Sequence, residues 1–192
     1  MKRSASLFGG ALLAALLLAG CGGGGTGIVG GGGSGGGGIV SSGSFSATFT
    51  ANSSNISTAT FNPSVGTGAF SVVGNIRTLI ATYVQVVGTS PRTIGVTLNK
   101  PSAFAVGDSF TVNASSDQTA AIGYVEGAGA TTKAFAGTSG TVKITAIDGK
   151  KVSFTVTGVS MGVADGGGMP NTATGTFTLG GNGSVTAQSN LS

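Results

Sequence analysis

The chain has 192 residues, room for one domain and little more. Only 7% of them are charged, 38 are glycine, and Trp and His are absent, which excludes a charge-rich disordered protein and any histidine-based catalysis or metal site. A single Cys leaves no disulfide within the chain, and the net charge of +4 contains no clustered basic run, so nucleic acid is not an expected partner.

The first element is an address. Lys2 and Arg3 supply a positive start, and Leu7 to Leu18 supply an apolar run of about a dozen residues, the length of a signal-peptide core rather than of a span, which needs about twenty. Small residues Ala19 and Gly20 then precede Cys21, the only cysteine. Leu18-Ala19-Gly20-Cys21 resembles the lipobox of bacterial lipoproteins. That resemblance implies a signal peptide over 1–20, cleavage between Gly20 and Cys21, and acyl chains on Cys21 that hold the protein to a membrane. Each buried methylene contributes about 0.8 kcal/mol, so several chains anchor far more firmly than one. Gly22 is not the aspartate associated with inner-membrane retention, so the resemblance points to the outer membrane of a cell envelope.

From Gly22 to Gly38, thirteen of seventeen residues are glycine. Residues 21–43 therefore read as an anchor and flexible linker, with a root-mean-square reach on the order of 25 Å. Gly32-Gly33-Ser34-Gly35-Gly36 fits the nucleophile-elbow pattern only through composition, since no strand precedes it and no helix follows.

Residues 44–192 read as the folded domain, because here apolar residues begin to alternate with Ser and Thr, the pattern of a half-buried strand. Phe45, Ala47 and Phe49 share one face of the first segment. Ile76 to Val87 is apolar on both faces and predicts a central strand covered from both sides. Ile94, Val96 and Leu98 follow, then Phe110 and Val112. Val142, Ile144 and Ala146 share a face, as do Val152, Phe154 and Val156, and Asp148-Gly149 between these two segments signals a hairpin of 140–147 with 151–159. Breaks are expected at Asn62-Pro63, Gly66-Thr67-Gly68, Ser90-Pro91, Gly107-Asp108, Gly127-Ala128-Gly129 and Gly166-Gly167-Gly168. The resulting expectation is an all-β, antiparallel two-sheet β-sandwich of about nine or ten strands, with a closed β-barrel as the alternative. Lack of Trp, and only two Tyr, speak against a transmembrane barrel with its aromatic girdles.

Phe45-Ser46-Ala47, Gly74 to Ile80, Ala121 to Tyr124, Gly140 to Thr145 and Gly175-Thr176-Phe177 resemble the recurring strands of a loose group of uncharacterised bacterial surface lipoproteins with one β-sandwich domain. The resemblance implies fold and location and carries no activity.

The candidate acids are Asp108, Asp117, Glu126, Asp148 and Asp165, and no two are signalled to converge as an acid/base pair would require. No cofactor and no metal are expected. The least explained segment is Gly162 to Asn171, a glycine-bearing loop whose Asp165 and Met169 could line a recognition rim. The expected function is non-enzymatic: a lipid-anchored envelope protein with a structural, adhesive or binding role toward an unknown partner. The alternative is a carrier of a small apolar ligand inside a barrel-like cavity.

Overall fold

A computed structural model describes residues 42–63, 65–165 and 170–187. Gly20, Cys21, the glycine linker up to residue 41 and Met169 lie outside the described residues. Within the described residues there are ten strands: β1 (Gly43–Thr50), β2 (Thr60–Phe61), β3 (Val65–Val73), β4 (Ile76–Val87), β5 (Ser90–Lys100), β6 (Ser109–Val112), β7 (Thr119–Glu126), β8 (Lys133–Asp148), β9 (Lys151–Val163) and β10 (Phe177–Thr186). One 3-10 turn, Gly129–Thr131, joins β7 to β8, and among the described residues no helix is long and apolar enough to cross a membrane.

All ten strands hydrogen-bond into one mixed sheet in the order β2-β1-β10-β9-β8-β6-β7-β5-β4-β3, antiparallel throughout except for β6 beside β7. The all-β expectation holds, but the division into two sheets does not appear. The sheet curls into a half-barrel instead. Its bend is spread along β8, β9 and β10, where the register shifts between Gly137 and Ser139, Ser139 and Thr141, Ile144 and Ala146, and again between Leu179 and Gly181. Each such irregularity adds local twist, so long strands turn the corner without leaving the sheet.

The far edge, β3, comes round to β10 and β1. Gly68 forms a parallel bridge with Ala187, and Gly66 approaches Gly43 so closely that a Cβ on it would sit 2.9 Å from the Gly43 Cα and 2.7 Å from the Tyr83 ring. The break expected at Gly66-Thr67-Gly68 is thus a strand interior, whose small residues admit the crossing backbone. Ser90-Pro91 likewise opens β5 and does not break it; the turn before it is Gly88-Thr89.

Period-two alternation places the core. Phe45, Ala47 and Phe49 of β1, Ile94, Val96 and Leu98 of β5, and Val152, Phe154 and Val156 of β9 all point inward and are buried. The hairpin about Asp148-Gly149 forms as expected, with Asp148 opposite Lys151. Two expectations need correction. Ala146 is exposed, because the shift between Ile144 and Ala146 reverses the phase of β8 and brings Ile147 against the core. β4 is next to the edge, not central: Leu79, Ala81 and Tyr83 are buried, while its other face is half-buried and Val86 is 66% exposed.

Aromatic rings fill the interior. Phe45 stacks on Tyr83 at 5.0 Å, and both lie within 6.4 Å of Phe154. Phe49, Tyr124, Phe135 and Phe177 form a second group, with neighbouring ring centres 5.0–6.4 Å apart. Inward-facing Gly183 on β10 leaves the space that the first group occupies, since a Cβ there would meet Phe45 at 2.6 Å and Phe154 at 2.7 Å. Gly183→Ala is therefore expected to cost about 1–3 kcal/mol in urea unfolding through overpacking. Gly180→Ala, whose Cβ would find its nearest neighbour at 3.8 Å, is expected to stay within about 0.5 kcal/mol; equal losses at both positions would contradict this packing.

Candidate functional site

Register fixes two ends of the half-barrel. Gly43, where the chain enters, lies opposite Val185, and the β8–β9 and β3–β4 turns lie at this same, proximal end. At the distal end stand the β1–β2 connection (51–59), the β7–β8 connection (127–132) and the β9–β10 connection (164–176). The chain just after β1 and the chain just before β10 continue to pair beyond the sheet, with Ser53 N–H donating to Thr176 O at 2.9 Å and Asn55 N–H to Thr174 O at 3.3 Å.

Three charges form one cross-strand row at the distal end: Arg92 of β5 is opposite Glu126 of β7, which is opposite Lys133 of β8. All three belong to the inward phase of their strands where that phase runs out of the core. Glu126 is 5% exposed and its carboxylate is fully engaged. Oε1 accepts from Lys133 Nζ at 3.0 Å; Oε2 accepts from the Tyr124 hydroxyl at 2.9 Å and from Ser57 N–H at 3.2 Å, with Arg92 Nε 3.8 Å away. Arg92 Nη2 donates to Ser57 Oγ at 2.9 Å, and Lys133 Nζ also donates to Asn55 O at 2.7 Å. The row thus ties the β1–β2 connection down over the end of the core.

Burial pushes the Glu126 carboxyl upward, but the Ser57 N–H, the Lys133 ammonium and the Tyr124 hydroxyl more than offset it, and the group is held below its ordinary value. Burial and the neighbouring Glu126 charge push the Tyr124 phenol upward, so it remains a neutral donor. With both oxygens engaged by Lys133, Tyr124, Ser57 and Arg92, the carboxylate ties the row together as a lock.

Of the residues singled out from sequence, Asp165 is exposed at the distal end just past β9, while Met169 lies outside the described residues. The loop that carries them is pinned at its far side by Asn171. Its Oδ1 accepts from Ala134 N–H (2.9 Å) and Ala173 N–H (3.0 Å), and its Nδ2 donates to Ala134 O (3.1 Å) and Ala164 O (2.9 Å). Asn55 bridges to the same segment, donating to Thr172 O at 2.7 Å and accepting from Thr174 N–H at 3.1 Å. Asp108 stands at the other end of the sheet, where Lys100 Nζ reaches its Oδ2 at 2.6 Å and Ala105 N–H donates to it at 2.7 Å. Lys100 and Arg92, the partners of Asp108 and Glu126, are eight residues apart on β5, roughly 26 Å, so half-buried Asp108 and buried Glu126 are not brought together. Asp117 and Asp148 are exposed. Among the described residues no group of three or more His, Cys, Asp and Glu side chains could hold a metal ion.

Sequence reasoning counted Glu126 among the acids and missed its site. The available signal was phase: Glu126 falls two residues after inward Tyr124, and Arg92 two before inward Ile94. Compared with protein-family models, with curated proteins and with solved structures, the chain matches none.

Glu126→Gln is expected to lower stability by about 3 kcal/mol near neutral pH, because Arg92 and Lys133 lose their counter-charge where burial makes it matter. A folded-state value below the ordinary one means that the unfolded chain takes up the proton first. This contribution is therefore present above the ordinary glutamate value and is lost as pH falls through the folded one. Urea unfolding across that range should show the wild type losing stability faster than the variant on acidification; parallel curves would contradict the lock.

Proposed function

We propose that the protein is a lipid-anchored, non-enzymatic display domain of a bacterial cell envelope, with residues 1–20 removed, Cys21 acylated and the glycine-rich stretch serving as the tether. The observation that carries this reading is the polarity of the fold. The chain enters at Gly43, and the long connections that include Asp165 gather at the opposite end. A tether attached at one end leaves the other facing away from the membrane, with its connections held in place by Glu126 and Asn171. Asp165 and Met169 belong to the segment offered for recognition of an envelope or extracellular partner.

Carriage of a small apolar ligand requires an open interior. The inward positions hold Phe45, Tyr83, Phe154, Phe49, Tyr124, Phe135 and Phe177 in mutual ring contact, which favours display over carriage. A catalytic reading gains nothing from Asp108 and Glu126, each committed to a lysine.

Intact-mass measurement of the membrane-extracted protein tests this reading. A chain beginning at Cys21 and carrying added acyl mass is expected, and Cys21→Ser is expected to lack that mass and to leave the membrane fraction on high-salt washing. A mature wild-type chain without acyl mass overturns the anchor.

A further inference from the structure

We propose that the proximal end of the half-barrel is itself a membrane-contact face, which seats on anionic lipid headgroups. This inference rests on the anchored reading above and adds to it a second contact of defined chemistry.

Charge is divided unevenly between the ends. The distal row sets Arg92 and Lys133 against Glu126, with Asp165 nearby. The proximal end holds five bases, Arg77, Lys100, Lys143, Lys150 and Lys151, against three acids, Asp108, Asp117 and Asp148. Arg77 and Lys100 are register partners on β4 and β5, an unfavourable like-charge pair. Asp108 binds Lys100, and Arg77 donates to Pro101 O at 3.3 Å. Lys143, Lys150 and Lys151 are exposed on the β8–β9 hairpin.

Apolar side chains stand among these cations. Val73, at the β3–β4 turn, is 75% exposed, Val106 is 62% exposed, and Val72 and Ile76 are exposed beside them. The fold joins these pieces into one face. Phe70 of β3 packs on Phe104 of the 101–108 connection, with ring centres 6.0 Å apart. That connection bonds to β8 on its other side, Gly107 N–H to Ile144 O and Ile144 N–H to Asp108 O, both at 2.9 Å. Ala187 links β3 to the hairpin, bridging Gly68 and donating its N–H to Lys150 O at 2.9 Å.

Exposed valines alone do not distinguish the ends, since Val163, at the distal end of β9, is exposed as well. Excess positive charge does, and it coincides with the point where the tether enters. The tether proposed above joins this end, and not the distal one, to the bilayer that the acyl chains occupy. Each lysine at an anionic surface is worth about fivefold in partitioning, and Asp117 and Asp148 on the same end offset part of the gain from the exposed three.

The test uses the full mature chain, acylated at Cys21, in phosphatidylcholine vesicles with and without phosphatidylglycerol. Acylation leaves an introduced cysteine as the sole thiol, so Val73→Cys, Val106→Cys and Val163→Cys at the distal end of β9 can each carry one fluorophore, read against a bilayer-resident nitroxide quencher. On phosphatidylglycerol-containing vesicles the two proximal labels should be quenched several-fold more than the distal one. That contrast should collapse on phosphatidylcholine alone, and also when Lys143→Glu, Lys150→Glu and Lys151→Glu are combined. Equal quenching at both ends of an anchored chain, or a contrast indifferent to lipid charge and to the triple reversal, overturns this inference and leaves the anchored reading intact. Concentration-dependent shielding of the Val73 label in detergent assigns the β3 edge to a second copy and likewise overturns it. A chain that washes off the vesicles overturns both readings.

Discussion

Phe45 of β1 and Tyr83 of β4 stack face to face across the seam where the two limbs of the sheet meet. The Tyr83 hydroxyl continues the crossing by donating to Ser184 O of β10 at 3.0 Å. Most of the architecture is arranged around this contact. Gly43, Gly66 and Gly183 lack side chains where the rings or the crossing backbone need room. Aromatic rings bury large apolar areas and prefer offset or edge contacts, so a curled sheet with rings inside can gain more than a flat one whose inward face stays wet. With so few charged residues, this chain depends on ring packing and not on surface ion pairs, which contribute little at best.

The inward phase of each strand cannot remain apolar where it leaves the core, and the two ends resolve this differently. Arg92, Glu126 and Lys133 neutralise one another at the distal end and hold the connections in place. At the proximal end Arg77 and Lys100 share the inward phase of Leu79 and Leu98, and one carboxylate answers them. The result is a molecule with a locked, nearly neutral crown and a basic base. That difference, together with the point of chain entry, gives the display reading a direction.

Much of the fold was legible in sequence because period-two alternation is a local signal. β1, β5, β9 and the Asp148-Gly149 hairpin stand where the pattern puts them. What alternation cannot convey is curvature. The register shifts of β8 and β10 depend on which strand lies alongside, and they turned an expected pair of sheets into one. Gly66 and Gly68 misled for a related reason: a glycine that marks a close approach looks the same in sequence as one that marks a turn. The glycine-bearing segment 162–171 drew attention as a loop, yet its most informative residue is Asn171, whose four hydrogen bonds depend on β8 and β9 being adjacent. Glu126 was within reach of sequence reasoning, since a charge in the apolar phase at a strand end needs partners from the neighbouring strands.

Central to this account is a single sheet that curls until β3 meets β1 and β10 around a filled aromatic interior. Nuclear Overhauser contacts between the α-protons of Gly43 and Gly66 test it most directly, since the two residues are far apart in sequence and adjacent only across the seam. The account predicts a strong cross-peak between them, together with one linking Gly68 to Ala187. Absence of both, in a protein whose β1–β10 and β3–β4 contacts are intact, would contradict the curled half-barrel and with it the assignment of a membrane-side and an outward-facing end.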